Sequence, residues 1–353
     1  MTEPIDPGGS TDRQLGPRHL LIGLVCALVA GVLVVVGIGR VAGYRDLSSV
    51  LEGAHFQWLA VCAVGQVVVF GGYSLALREA VSSEGGPLLP FGLALQIVLA
   101  SFAATQLFAF AGVAGLAVTY WAFRRVGLSR ESAAVRLIGV STAVYLMLGV
   151  LSFLAAAIAL LEGSAPAGMT LPWLLGFPVL LVLARWFTAP RRVSRFTAPS
   201  TAWWRVALAT GVGAAAWVRR STTTAPGRAM FAYATIYWIG DIASLWGALH
   251  AFGAHPPLAA LVVAYACGYL VQSIPLPLIA TGGVDAATTF LLHVIGVPLQ
   301  IALVAVVAHR VFAFWLPVIP GAILAVLLPR AGRSLSTLAA ETTVPSDRRP
   351  ARR

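Results

Sequence analysis

Long runs of apolar residues alternate with short polar segments along most of the chain. Eight runs of about 20 residues or more are recognisable, at 20–40, 57–77, 91–123, 132–161, 171–188, 229–251, 258–295 and 298–328. A helix of about 20 residues crosses a hydrocarbon core of about 30 Å. Backbone groups inside a bilayer must be paired within their own segment, which favours helices. The pattern therefore predicts an all-α, polytopic membrane helix bundle with about eight spans.

Composition agrees with this pattern. Hydrophobic residues make up 59% of the chain and charged residues only 10%, against about 25% charged in an average soluble domain. The two ends are different, because residues 1–18 and 331–353 are polar and rich in Pro, Ser, Thr and Arg. Such segments have too little apolar surface to order themselves. We expect disordered tails at both ends and an integral membrane domain at 19–330.

The net charge of +11 comes from Arg alone, since the chain contains no Lys. A nucleic-acid surface needs a basic stripe on a folded polar face, whereas these Arg residues cluster beside apolar runs. The positive-inside rule assigns the Arg-rich loops 123–136 and 190–228 and the Arg-rich C-terminal tail to the cytoplasm. We therefore expect a multi-pass protein of the cell membrane with both termini cytoplasmic and no nucleic-acid partner.

The loop 190–228 also contains apolar and aromatic residues between its Arg residues. They are Trp203, Trp204, Val206, Leu208 and Trp217. This mixture predicts a helix lying in the membrane interface. A loop with a short helix and no contact with lipid fits the sequence equally well.

Two stretches about 169 residues apart share a glycine-rich pattern within the third and seventh apolar runs, each too long for one straight helix. The first is Gly112-Val-Ala-Gly115 and the second is Gly282-Gly283-Val-Asp285. About a dozen residues after each stretch there is another glycine, followed by a residue that can begin a helix. These residues are Gly127 with Ser129 in the first copy and Gly296 with Pro298 in the second. We predict non-helical breaks at Gly112–Gly115 and Gly282–Asp285.

The charge pattern orients the two copies in opposite directions. The long helix after the first break runs from inside to outside, and the one after the second runs from outside to inside. The halves, at about 91–161 and 258–328, would then form an inverted repeat with Gly-broken or re-entrant segments. Broken helices in inverted repeats are typical of transporters. Chance spacing in a chain with 35 glycines is the alternative.

At these motifs the chain resembles the lysylphosphatidylglycerol synthetase/flippase transmembrane-region family. The resemblance rests on Leu276 to Asp285, Gly296-Val297, His309-Arg310, Trp315, Pro317 and Gly321, and in the first half on Gly112 to Ala134 with its Arg-Arg-x-Gly-Leu-Ser segment. It implies a membrane domain that moves or handles a lipid, with Gly282, Gly283 and Arg310 on motif positions. The short tail after Arg330 leads us to expect no cytosolic aminoacyl-transferase domain.

Few ionisable residues lie at membrane depth, where each costs about 2.5–3.5 kcal/mol and needs a partner or a cavity. Asp241 and Arg310 lie inside the sixth and last runs. They form either a structural ion pair, or a site in which Arg310 holds a lipid phosphate and Asp241 is the counter-charge or proton carrier. In both cases we expect them to line one polar cavity. The candidate substrate-binding residues are Arg310, Asp241, Asp285, Gly282, Gly283, Gly112, Gly115 and Trp315.

No nucleotide-binding fingerprint, nucleophile motif or metal-ligand spacing is present, and Cys26, Cys62 and Cys267 all lie within apolar runs. We expect no cofactor or metal. The sequence favours a transporter that flips a phospholipid or lipid-linked head group between leaflets without ATP. Its expected partners are membrane lipids, above all anionic phospholipid, and a homo-oligomer is left open. The alternatives are an intramembrane enzyme with paired carboxylates at Asp241 and Asp285, and an accessory membrane subunit.

Overall fold

A computed structural model of the chain describes residues 53–107, 113–196, 202–270 and 279–343. These ranges are all-helical and contain no strand, which confirms the predicted helical bundle. The helices are α1 (Leu59–Ser82), α2 (Phe91–Leu107), α3 (Val113–Arg125), α4 (Arg130–Glu162), α5 (Ala167–Phe187), α6 (Pro190–Phe196), α7 (Trp203–Ser221), α8 (Ala225–Ala251), α9 (Leu258–Leu270), α10 (Ile279–Val294), α11 (Leu299–Val326) and α12 (Leu328–Thr343).

Four helical segments of the described chain are long and apolar enough to cross a membrane. They are Phe56–Gly85, Arg130–Glu162, Ala167–Phe187 and Leu299–Val326. Each coincides with a run predicted from the sequence, and α8 coincides with the sixth run. The predicted first span, 20–40, lies outside the described residues. The chain is thus a membrane protein with several spans.

The third and seventh apolar runs each divide into two helices, as predicted. The third run forms α2 and α3, which pack against each other, and the seventh forms α9 and α10, which do the same. At the α2–α3 contact the hydroxyls of Ser101 and Thr119 lie 2.9 Å apart. A Cβ on Gly115 would overlap Thr105, so this glycine permits close packing of the pair.

The break predicted at Gly282–Asp285 is wrong, and the break predicted at Gly112–Gly115 does not include residues 113–115. Gly115 lies inside α3, and Gly282, Gly283 and Asp285 lie inside α10. Glycine is tolerated inside membrane helices and often serves close packing there, as Gly115 does, so a glycine pair does not by itself end a helix. Gly112 lies outside the described residues.

The turns that lead into α4 and α11 have the same geometry. Gly127 and Gly296, 169 positions apart, have φ angles of 93° and 96°. At the first turn, Leu128 N donates to the carbonyl of Phe123 at 3.2 Å. At the second, Val297 N donates to the carbonyl of Leu292 at 3.1 Å. This left-handed helix ending favours glycine and explains why glycine stands at both positions.

Helices α1 and α8 cross in an antiparallel direction at glycines. A Cβ on Gly65 would lie 2.6 Å from the carbonyl oxygen of Gly240, and a Cβ on Gly72 would lie 3.0 Å from that of Tyr233. The helix pairs α2–α3 and α9–α10 each form a hairpin beside this crossing. In the first hairpin α2 packs on α11, and in the second α9 packs on α4. Each hairpin therefore packs against the long helix of the other half.

The prediction that the tail is disordered from residue 331 is wrong for residues 331–343. Helix α12 extends over Leu328–Thr343, and Ala331 and Leu335 are buried. Gly332 lies against Trp121 of α3. Ala331, Leu335 and the partly buried Leu338 repeat at helical spacing, which gives a polar segment one apolar face. Residues 344–353 lie outside the described part.

Helix α7 is present in the Arg-rich loop. Its second half packs on α4, where Trp217 is buried against Gly139. The apolar side chains of its first half are exposed, with Trp203 at 81% and Trp204 at 53%. Contact of this exposed surface with lipid stays a prediction.

Candidate functional site

The side chain of Asp241 is the centre of a buried polar cluster. It is 6% exposed and accepts hydrogen bonds from three neutral donors on two other helices. Gln66 Nε2 donates to Oδ1 at 2.8 Å, Tyr269 OH donates to Oδ2 at 3.2 Å, and Tyr265 OH also donates to Oδ2. The carboxylate is thus held by α1 and α9 at the middle of α8.

The helix geometry explains why these donors converge. Tyr265 and Tyr269 are four residues apart in α9 and so share one helix face. Gln66 follows Gly65, where an added Cβ would lie 2.6 Å from the carbonyl oxygen of Gly240 in α8. The packing of three apolar helices therefore places three isolated polar side chains around one acid.

His309 of α11 lies beside the same acid. Its side chain is 11% exposed, and its Nε2 lies 3.6 Å from Asp241 Oδ1. Its Nδ1 lies 3.1 Å from Ser244 Oγ. Ser244 Oγ in turn donates to the carbonyl oxygen of Cys62 at 3.2 Å, which links α11, α8 and α1.

Arg310 forms an ion pair with Asp285 of α10. Its Nε lies 3.4 Å from Asp285 Oδ2, and the two side chains are 37% and 30% exposed. The Arg310–Asp241 ion pair, one of the two possibilities taken from the sequence, does not form. Arg310 pairs with Asp285, and Asp241 faces His309. Successive residues on a helix point in different directions, so His309 and Arg310 serve different acids.

A cavity of about 270 Å³ lies where the two halves meet. Its polar lining residues are Gln66, Tyr73, Ser101, Thr105, Gln106, Thr119, Tyr237, Asp241, Tyr269 and Arg310. Asp241 and Arg310 line the same cavity, as expected from the sequence. The space thus combines one cation, one buried acid and several hydroxyl and amide groups.

The other candidate residues are distributed unevenly around this cavity. Gly115 lines it, and Asp285 is connected to it through Arg310. Gly283 lies near the start of α10, next to Gly282. Trp315 packs edge-on against Phe314 with ring centroids 5.0 Å apart, and it is not among the described lining residues.

Sequence reasoning missed the donors to Asp241 and a buried cation elsewhere. The i, i+4 spacing of Tyr265 and Tyr269 in an apolar run was the available signal for the donors. Arg136, assigned to a charged loop, is 5% exposed and caps the end of α1. Its guanidinium donates to the carbonyl of Val81 at 2.7 Å and lies 3.6 Å from the Glu84 carboxylate.

Fold and site together define a polytopic helical membrane protein with a charged cavity inside its bundle. The chain matches the family model described as Lysylphosphatidylglycerol synthase TM region over residues 24–321, and it belongs to that family. This finding confirms the resemblance seen in the motifs and associates the protein with lipid handling. No curated protein matches the chain.

Proposed function

We propose that the protein moves a phospholipid or a lipid-linked head group between the leaflets of the cell membrane without ATP. The observation behind this proposal is the cavity, in which a partly exposed Arg310 lies among hydroxyl groups. A guanidinium presents a planar set of donors that suits phosphate oxygens. Asp285 Oδ2 lies 3.4 Å from the Nε of Arg310. Anionic phospholipid is the substrate class that fits this chemistry best.

We also infer that the two halves form an inverted repeat. Three observations support this relation: the identical turns at Gly127 and Gly296, the antiparallel crossing of α1 and α8, and the exchange of hairpins. Helices α1 and α8 extend the halves beyond the boundaries expected from the sequence. Transporters built this way hold their substrate at the repeat interface. The cavity occupies that position.

The orientation we propose has both termini and the Arg-rich segment Pro190 to Arg228 in the cytoplasm. In support, Glu84 at the end of α1 lies 3.6 Å from Arg136 of α4 and 3.5 Å from Arg220 of α7, so these three ends share one side. A cysteine at Ser194 should react only with probes that enter the cell. Its reaction with an impermeant probe, while a cysteine at Glu162 is shielded, would reverse the orientation.

The alternative of an intramembrane enzyme receives little support from the geometry. An aspartyl dyad requires two carboxylates that share a proton. Here Asp241 faces His309, and Asp285 pairs with Arg310. Each acid has its own cationic neighbour, so we retain transport as the proposal.

The experiment uses purified protein in liposomes that contain a fluorescent anionic phospholipid in both leaflets. An impermeant reductant destroys the fluorescence of the outer leaflet. The protein should make the inner-leaflet pool accessible as well, and less so when the labelled lipid is zwitterionic. No acceleration by the wild type, with a partner protein that co-purifies, would favour the accessory subunit.

Variants then assign the movement to the cavity. Arg310→Lys should fold and lose about tenfold or more in rate, because an ammonium lacks the planar fork of donors. Arg228→Lys, on the exposed first turn of α8, is the matched control and should keep its rate. Full movement by a well-folded Arg310→Ala protein would contradict the proposal.

A further inference from the structure

The charges around the Asp241 cluster do not balance when His309 is neutral. Arg310 and Asp285 offset each other as an ion pair. Asp241 remains as a buried carboxylate whose donors Gln66, Tyr265 and Tyr269 are all uncharged. An uncompensated carboxylate at membrane depth is costly. Among the described residues, the group within ion-pair distance that can supply a positive charge is His309.

The hydrogen bonds of Ser244 determine where the ring of His309 carries its first proton. Ser244 has one hydroxyl hydrogen, which it donates to the carbonyl oxygen of Cys62. Its oxygen is then the acceptor for His309 Nδ1–H at 3.1 Å. In a neutral ring Nε2 is consequently unprotonated and faces Asp241 Oδ1 at 3.6 Å with a lone pair. Two acceptors that face each other repel unless a proton lies between them.

We propose that His309 and Asp241 form a proton-binding site, and that proton binding there accompanies lipid movement. A proton from the cavity, which Asp241 lines, adds to the lone pair of Nε2 and converts the ring to an imidazolium. No other bond forms or breaks. The titratable groups that surround the pair are Asp241 on α8, Tyr265 and Tyr269 on α9, Asp285 on α10, Arg310 on α11 and Cys62 on α1.

Coupling to lipid follows from the same charges, and this step rests on the proposed transport of an anionic phospholipid. A phosphate at Arg310 adds negative charge next to the pair, and a proton on His309 offsets it. Each ligand therefore favours binding of the other, because coupling between two sites is reciprocal. The protein would carry a proton together with the anionic lipid.

The first test measures proton binding without any transport. The protein contains six histidines, so nitrogen NMR of the histidine-labelled wild type in nanodiscs gives a spectrum that His309→Gln can assign. We expect His309 to become an imidazolium between about pH 8 and pH 5. In Asp241→Asn, the ring should stay neutral with its proton on Nδ1. A wild-type ring that stays neutral throughout this range, with its proton on either nitrogen, would overturn the proposal.

If His309→Gln yields no folded protein, Ser244→Ala assigns the same signal through the loss of the Nδ1 partner. The second test applies a pH gradient to the liposomes of the leaflet assay. Wild-type movement of the anionic lipid should change about fivefold or more with the gradient, and His309→Gln should lose this dependence. His293→Gln is the matched control, because His293 Nδ1 lies at the α10–α11 turn, 3.0 Å from the carbonyl oxygen of Val297.

The two tests fail separately. A protonated His309 with no effect of the gradient on the wild type would overturn the coupling and leave the proton site standing. A wild type that moves no lipid would overturn the proposed function, while the NMR measurement still decides whether the proton site exists.

Discussion

The two halves of the bundle, α1–α4 and α8–α11, have the same order of long and short helices but different interiors. The cavity is lined by Val69 of α1 in the first half and by Ala313 of α11 in the second half. The positions 169 residues away from these two are Trp238 and Val144. There the indole nitrogen of Trp238 donates to the carbonyl of Val144 at 2.6 Å, and Trp238 is 1% exposed.

The difference shows what creates the cavity. Where small side chains stand on both helices, the crossing of the halves leaves a space lined by polar groups. Where Trp238 stands, the equivalent space is filled, in part by its edge-on contact with Tyr269 at 5.2 Å between ring centroids. Side-chain volume thus distinguishes the open crossing at Val69 from the filled one at Trp238.

The largest effect is expected where the two halves touch. Gly65→Val should prevent recovery of folded protein, because the added side chain overlaps the backbone of Gly240 and a packed backbone cannot move aside. The measurement is the yield of monodisperse protein in detergent. Gly71→Val, with nothing within 4 Å of an added Cβ, is the control and should fold. Equal yields would mean that the halves do not cross this closely.

The buried Arg136 has no counterpart in the second half, because Ala305 stands 169 positions further along the chain. Arg136→Met should lower the free energy of unfolding by about 2–3 kcal/mol, because the carbonyls at the end of α1 lose a buried donor. Denaturant titration of the detergent-solubilised protein measures this. Arg130→Met, exposed on the first turn of the same helix, should change little. A comparable loss in both variants would show that charge alone matters.

Val69→Trp would make the first half resemble the second. The indole should fill the cavity, leave the fold intact and slow lipid movement about tenfold or more in the leaflet assay. Val64→Trp, at a position of α1 that is 61% exposed, introduces the same side chain outside the cavity and should keep the rate. Normal movement by a folded Val69→Trp protein would separate the cavity from transport.

The smallest effect concerns the α2–α3 contact. Thr119→Val removes a hydroxyl that lies 2.9 Å from Ser101 Oγ and should cost about 1 kcal/mol in unfolding free energy. Thr142→Val removes an exposed hydroxyl that bonds only within its own helix, and it should be nearly neutral. If Thr142→Val lowered the free energy of unfolding more than Thr119→Val, the buried contact would not stabilise the α2–α3 hairpin.

The sequence predicted the helices and the repeated turns well, for a physical reason. Run length reflects bilayer thickness, and a left-handed turn requires glycine, so both are local properties that a pattern displays. Gly127 and Gly296 were found in this way. The breaks were misplaced onto Gly115 and Gly283 because glycine also serves close helix packing, and composition cannot separate the two roles.

The partners of the charged residues were not predictable from spacing. Asp241 receives its donors from α1 and α9, and Arg310 finds Asp285 rather than Asp241. Such pairings depend on how helices rotate about their axes after packing. Arg136 was missed for the same reason, because a basic residue near an apolar run looks identical whether it faces water or caps a neighbouring helix.

The antiparallel crossing of α1 and α8 also bears on how the chain arose and inserts. If both halves descend from one duplicated ancestor, that ancestor had to enter the membrane in either orientation, which requires a nearly even distribution of basic residues. The present chain is uneven. The α3–α4 turn carries Arg124, Arg125 and Arg130, whereas the stretch 286–309 around the α10–α11 turn contains no Arg or Lys. In the orientation proposed above, this difference directs each half to its own side of the membrane during synthesis.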